Sequence, residues 1–421
     1  MVDRRARGDL LVLACAFGAR LVYFLIDPQP FAFESWDIAA NILNSGTLAW
    51  EDFPTTIYEP LYPLVLAMIR GFVGDRPVAA QVIQIGISSA APFCLYHVTH
   101  ALTGERRIAL AAGLLLAFDP LSVRHAAYGQ TAALMGTLLV AFCWVFVRSR
   151  SAAGAAFAGL VLGLAVLTRT MALPLVALAA IAWAMQRRGR AALVLAVTAL
   201  AVFAPYAIRN YRLAGGVLPA RSGLNLFVAT SEYTAPLVPE HHPDLLVPYA
   251  DATLALDGFS ADAPPSPAQE RDVDSRLTRL AWENVKRHPL DQLWLRAKFA
   301  GYFFSPFLVP GRRDFPANAA DIHLGPGGAV TIANDGAMQP SWIRALYTAT
   351  FAPVLVLAVL GAALRRHRVR DDAILWCVAA TFAAVHSVFF PSSFYRMPMA
   401  FVLLFFAAVG VDAARRRVAA V

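Results

Sequence analysis

The chain has 421 residues, 58% hydrophobic and only 15% charged, with a mean hydropathy of +0.55. Soluble domains carry about 25% charged residues, and a water-soluble fold lacks the interior to hide this much apolar surface, so the composition specifies an all-α polytopic membrane protein. The net charge of +8 does not indicate a nucleic-acid partner. The basic residues fall as short arginine clusters between apolar segments, as in cytoplasmic loops under the positive-inside rule.

The segment MVDRRAR precedes a first expected span over residues 10–26. Its basic flank resembles that of a signal peptide, but no A-x-A-like cleavage site follows, so it reads as a retained span. The loop after it, residues 27–63, holds Glu34, Asp37, Glu51, Asp52 and Glu59 in a chain otherwise poor in acids. Within that loop, residues 35–43 have helical spacing, stopped by Asn44-Ser45-Gly46. Residues 61–73 are apolar but too short to cross, and read as a helix lying at the interface.

Further expected spans cover residues 78–99, 108–118, 131–147, 152–167, 171–185 and 191–207. A long polar region with one helix over residues 267–304 follows, and the last spans cover residues 342–364, 373–389 and 399–414. Ten spans with both termini cytoplasmic place every arginine cluster on one side. The organisation is then a membrane module over residues 1–208, an extracytoplasmic helical region over 209–341, and C-terminal spans over 342–421. Cys15, Cys94, Cys143 and Cys377 sit inside apolar segments without CxxC spacing and read as core residues.

Five stretches carry a resemblance: FAFESWDIAANILNSG, EPLYPLVLAMI, GLAVLTRTMALPLV, APYAIRNYRLAGGVLPARSGLNLFVAT and FYRMPMAFVLLFFAAVG. In this order and spacing they resemble the GT-C membrane glycosyltransferases. The branch is the bacterial one grouped with the aminoarabinose transferase of lipid A, the protein O-mannosyltransferases and the RgtA/B/C/D-like domain. The resemblance implies residence in the plasma (bacterial inner) membrane and a polyprenyl-phosphate-linked sugar donor. It also implies inverting transfer of the sugar to a hydroxyl of a lipid, glycan or protein acceptor outside the cytoplasm. The acid taken as base in relatives matches Glu34, with Asp37 nearby on the same short helix. Many relatives carry aspartate at that position, and a second acid at the start of the fourth span, where this chain reads Gly129-Gln130-Thr131. Tyr58-Glu59 replaces a lysine that some relatives place before the PxYP piece.

Inverting transfer needs a base for the acceptor hydroxyl and cations around the departing phosphate. Glu34 fits the first need; the competing reading is that Glu34 and Asp37 solvate a loop helix or interact with its N-terminus. Arg396, Arg209, Arg212, Arg221 and Arg169 are expected on the outer face, against the prevailing arginine pattern. Each then requires an anionic partner, either a lipid phosphate or loop acids and headgroups. Arg396 is the preferred phosphate ligand, followed by Arg209, and Glu59, Tyr62, Gln130, His386 and Tyr395 are expected to line the cavity.

His241-His242-Pro243-Asp244 reads as a solvated loop pair, since adjacent histidines without a further ligand at helical spacing make a poor metal site. A divalent metal is compatible with the resemblance but has no clear ligand set. The rival functions are a transporter or lipid flippase, which would favour ionisable residues in mid-span, and a GT-C-like assembly subunit without catalysis.

Overall fold

The computed structural model describes residues 4–28, 34–256, 266–312, 322–325, 328–332 and 338–419. The chain opens with α1 (Arg4–Ile26), and the acidic loop resumes at α2 (Glu34–Ser45). A small hairpin of β1 (Ala49–Trp50) and β2 (Phe53–Pro54) leads to α3 (Leu61–Val73). Then come α4 (Pro77–Ser88), α5 (Ala90–Thr103), α6 (Arg106–Ala117), α7 (Pro120–Ala127), α8 (Thr131–Arg148), α9 (Ala152–Thr168), α10 (Leu173–Met185) and α11 (Gly189–Ala214). Beyond them lie α12 (Ser222–Thr230), α13 (Thr234–Leu237), α14 (Val247–Leu256), α15 (Pro267–Arg287) and α16 (Pro289–Phe303). Strands β3 (Ile322–Leu324) and β4 (Val330–Ile332) follow, and the chain closes with α17 (Ser341–Leu364), α18 (Ala373–Val388) and α19 (Ala400–Val418).

Among the described residues, six helical segments are long and apolar enough to cross a membrane: Gly8–Ile26, Pro77–Thr103, Thr131–Arg148, Gly189–Ala214, Ser341–Leu364 and Phe394–Val418. The pair α6–α7 makes a possible seventh, bent by 51°. The cause of the bend is local: Pro120 opens α7, and Asp119 Oδ2 caps it by accepting from Ser122 N at 2.8 Å and Ser122 Oγ at 2.7 Å. The remaining expected crossings fall on the shorter apolar helices α9, α18 and Thr170–Met185. The chain is thus a multi-pass membrane protein, with six to seven crossings supported by length and composition.

Most of the core is one apolar mass shared by the long helices. At the end of the chain, α17 and α19 touch through glycines. A Cβ on Gly361 would fall 1.9 Å from Phe406 O, and one on Gly410 would fall 2.3 Å from Leu357 O. Small residues at such a crossing let two backbones approach where lipid offers no hydrophobic drive of its own.

The region after α11 has a second, smaller core, in which Phe227, Leu237, Leu246, Leu277 and Ala281 tie α12 to α15. The single helix expected over residues 267–304 is broken at His288-Pro289, because a proline has no N–H to continue the ladder. After the break α16 leaves that core and packs on α18, so this stretch belongs partly to the membrane body. Its opposite face exposes Leu290, Leu293 and Trp294, an apolar surface suited to lipid.

Arg20 is an ionisable group inside the first span. It is 1% exposed within α1, where its Nη1 donates to Ala16 O at 3.0 Å and Ala117 O at 3.3 Å. It borders a small cleft lined also by Ser88, Thr137, Met397 and Phe401.

Candidate active site

The acidic loop is fastened at both ends. Near its start, Trp36 of α2 packs with Tyr62 and Leu66 of α3. Arg70 donates to Trp36 O at 3.0 Å, pairs with Asp75 at 2.8 Å and lies 4.7 Å from the Trp36 ring. Asn41 donates to Ala49 O at 3.0 Å and also to Glu51 O, which holds the hairpin against α2. That hairpin turns through Glu51 with a φ of 52°, a left-handed conformation uncommon outside glycine.

From the other side, Arg209 of α11 donates to Leu48 O at 2.9 Å and Thr55 O at 3.0 Å, on either side of the hairpin. Glu270 of α15 accepts from Thr55 Oγ1, Thr56 N and Thr56 Oγ1, each at 2.7 Å. Tyr206 donates to Tyr58 O at 3.0 Å, while Glu59 accepts from Thr170 N at 2.9 Å and Thr170 Oγ1 at 3.0 Å. Tyr62 donates to Gln84 Oε1 at 2.9 Å and to Gly129 O. Backbone groups that an irregular loop leaves unpaired are therefore met by side chains from two distant elements, α11 and α15.

This fastening brings together residues far apart in sequence. The Tyr58 ring lies 5.9 Å from the Arg221 guanidinium and meets Trp50 edge-on at 5.9 Å. Burial pushes the Tyr58 hydroxyl pKa up, the nearby Glu34 and Glu270 carboxylates push it the same way, and Arg221 opposes them. Arg221 is also within electrostatic range of Tyr395, together with Arg169 and Asp244. Tyr58 thus feels both Glu34 and Arg221, and Tyr395 feels both Arg221 and Arg169. Glu34, Arg169 and Arg221 are all exposed, so their charged groups are open to a ligand.

Other expected site residues are used differently. Arg396 is 1% exposed and its guanidinium is already occupied. It donates to Phe303 O at 2.5 Å, to Ser305 O at 3.4 Å and to the Tyr347 hydroxyl, and stacks 3.7 Å from the Phe351 ring. It staples α16 and α17 to the last span, so its acceptor is protein rather than lipid phosphate. Arg209 is spent in the same way on loop carbonyls. Arg212 is exposed at the end of α11, and Asp37 is exposed in the first turn of α2, where it suits the helix N-terminus.

Gln130 caps the start of α8, donating its N–H to His125 O at 3.0 Å. Tyr62 is a buried tie, and His386 is buried in a ring stack between Phe303 at 5.2 Å and Tyr395 at 5.1 Å. Phe31 and Phe33, which precede Glu34 in the sequence, lie outside the described residues. Among the described residues no three His, Cys, Asp or Glu side chains are grouped to hold a metal ion.

Sequence reasoning missed Glu270 and His242. A signal for Glu270 existed: Glu270, Asp274, Leu277 and Ala281 fall on one stripe of α15, and all are buried. Acids on the apolar stripe of a helix require partners there.

The chain shares its fold with solved oligosaccharyltransferase structures, and the likeness is one of fold alone. The Archaeoglobus fulgidus oligosaccharyltransferase in its apo form aligns over 97% of this chain and 51% of its own, with a TM-score of 0.55 and 15% identity. The A. fulgidus oligosaccharyltransferase AglB, in complex with an inhibitory peptide and a dolichol-phosphate, aligns over 97% and 50%, with a TM-score of 0.54 and 13% identity. ArnT from Cupriavidus metallidurans, bound to undecaprenyl phosphate, aligns over 96% and 78%, with a TM-score of 0.40 and 15% identity. The chain spans about half the length of the oligosaccharyltransferases. No family model and no curated protein matches it.

Proposed function

We propose that the chain is an inverting glycosyltransferase that moves a sugar from a polyprenyl-phosphate donor to an acceptor hydroxyl on the extracytoplasmic face. The observation that carries this reading is the Arg221 guanidinium 5.9 Å from the Tyr58 ring, with Glu34 acting electrostatically on Tyr58 and Arg169 acting with Arg221 on Tyr395. The exposed Glu34 carboxylate and the exposed Arg221 and Arg169 guanidinium groups support the reading, as does a fold shared with AglB, which is solved in complex with a dolichol-phosphate.

In the proposed reaction Glu34 takes the proton from the acceptor hydroxyl as its oxygen bonds to the anomeric carbon. The bond from that carbon to the phosphate oxygen breaks, and the polyprenyl phosphate leaves with the electron pair. Arg169 and Arg221 face the negative charge that grows on the phosphate, and Tyr395 offers a hydroxyl beside them. Asp37, one turn along α2, adds a second carboxylate near the acceptor entrance. The phosphate role therefore passes to Arg169 and Arg221 from Arg396 and Arg209, whose donors are engaged with the protein.

A transporter reading draws on one specific observation, the buried Arg20 inside a span. Its Nη1 donates to backbone carbonyls of α1 and α6, which suits a tie between helices better than a pathway.

The test is transfer of labelled sugar from polyprenyl-phosphate donors by membranes carrying the chain. Glu34→Gln is expected to lower transfer by roughly 10²- to 10⁴-fold, the usual contribution of a general base. Transfer at the wild-type rate by Glu34→Gln would remove Glu34 as the base.

A further inference from the structure

Helix α16 spends one face on protein and leaves the opposite face bare. Gln292, Leu295, Phe299 and Phe303 are buried. Gln292 donates to Thr230 O at 2.8 Å, and Arg296 donates to Ala229 O at 2.5 Å and to Val388 O, which ties this side to α12 and to the end of α18. On the other side Leu290, Leu293, Trp294, Ala297 and Gly301 recur at spacings of three and four, and all are exposed. Leu290 is 79% exposed, Leu293 68% and Trp294 64%.

The depth of the bare face follows from what α16 touches. Val388, which accepts from Arg296, is the last residue of the apolar helix α18. Phe303, the last residue of α16, accepts from Arg396 at the start of the segment Phe394–Val418. Arg396 also donates to Tyr347, in the second turn of α17. Three apolar helices therefore begin or end beside α16, at the ends remote from Arg365 and from Arg415 to Arg417. This is the rim of the membrane body, where hydrocarbon gives way to headgroups.

The cations fit that depth. Lys286 and Lys298 are the only two lysines in the sequence, and both are exposed, one on each side of the bend at Pro289. Lys298 borders the apolar stripe, with its Nζ 5.7 Å from the Trp294 ring. Arg287 and the exposed Trp282 stand just before the bend, and the acids close by are Glu283, 3.5 Å from Arg287, and Asp291. A lysine stem lies along apolar surface while its ammonium reaches out to water or phosphate. Lysine and tryptophan beside an apolar stripe make up a helix that lies in the plane of an anionic membrane surface.

We propose that the elbow between α15 and α16 is an interfacial anchor for anionic phospholipid. Leu290, Leu293 and Trp294 enter the acyl boundary, and the Lys286 and Lys298 ammonium groups meet headgroup phosphates. A bilayer surface is the occupant because the stripe continues the rim of the apolar helices and its flanks are cationic. The first turn of α15 carries Glu270, so the anchor also sets the height of the clamp on the acidic loop. The anchor is independent of the donor-phosphate placement above.

The test uses the purified full chain in phosphatidylcholine nanodiscs, with and without phosphatidylglycerol. With two lysines in the chain, amine acetylation followed by peptide mass spectrometry reads each one separately. Phosphatidylglycerol is expected to slow acetylation of Lys286 and Lys298 roughly 5-fold, the weight of one cation at an anionic surface. Salt at about 1 M should restore the rate, because it shortens the Debye length to about 3 Å.

Lipids with brominated chains read the depth, and the Trp294 signal is the difference between wild type and Trp294→Leu, which keeps the stripe apolar. Trp294 is expected to be quenched by the bromines and shielded from aqueous acrylamide. Trp294 open to acrylamide would overturn the membrane contact. Shielding from both quenchers would mean that protein, a partner or a second copy, covers the face, and would overturn it too. Acetylation rates unaffected by phosphatidylglycerol would overturn the headgroup contact even with Trp294 in lipid.

Discussion

Replacing Glu270 with alanine removes the buried carboxylate that receives three donors of the acidic loop. Thr55 and Thr56 are 2% and 0% exposed, so neither their hydroxyls nor the Thr56 amide has water waiting to replace the lost acceptor. A buried donor deprived of its partner costs about 1–3 kcal/mol, so three set a ceiling near 9 kcal/mol. The carboxylate leaves a gap that water can enter, which brings the expected loss to about 3–4 kcal/mol. An exposed ion pair would give less than about 1 kcal/mol, so the two cases are well separated.

Hydrogen–deuterium exchange over residues 47–60 in nanodiscs reads the effect locally, and thermal unfolding reads it globally. About 3 kcal/mol corresponds to a loss of protection at the Thr56 amide of roughly 10²-fold. Tyr58 and Glu59 adjoin this anchor, so transfer should fall along with the protection. Exchange in Glu270→Ala within about 3-fold of wild type would refute the clamp, and with it the account of how the loop is held.

Two further tests address the scaffold. Gly361→Ala places a methyl 1.9 Å from Phe406 O, a backbone atom that cannot swing away. It should force α17 from α19 and lower stability by about 2 kcal/mol or more, read as a drop in the detergent melting temperature. Asp274 gives a pH signature: burial raises its carboxyl pKa, outweighing the Gly223 N–H at 2.6 Å and the Arg271 charge. A carboxyl raised on folding contributes stability that is full below its unfolded pKa and is lost as pH rises through its folded one. Asp274→Asn should therefore gain on wild type as pH increases across that window, and a stability difference independent of pH would contradict the assignment.

The membrane segments were legible because burial in lipid imposes a composition that any window of about 20 residues displays. The short helix at Glu34 was legible for a related reason, since Trp36, Ala39 and Leu43 recur at helical spacing before Asn44-Ser45-Gly46. Partners were not legible. An arginine set against the prevailing pattern announces that it needs an acceptor, but a backbone carbonyl satisfies that need as well as a phosphate does. Arg209 and Arg396 took carbonyls, and those acceptors have no sequence signature.

Glu270 and Thr55 are 215 residues apart, a pairing that periodicity cannot foresee, although the stripe of α15 shows that Glu270 faces inward. His242 was misread because two adjacent histidines in a polar segment look alike whether solvated or docked. Only the return of Tyr395 from the last span distinguishes them.

The most direct measurement of the central claim is the position of the phosphate in a structure of the chain with farnesyl phosphate. The account predicts phosphate density between the Arg169 and Arg221 guanidinium groups, beside the Tyr395 hydroxyl, on the side facing Glu34. Density at Arg212, or at any site remote from Glu34, would contradict it.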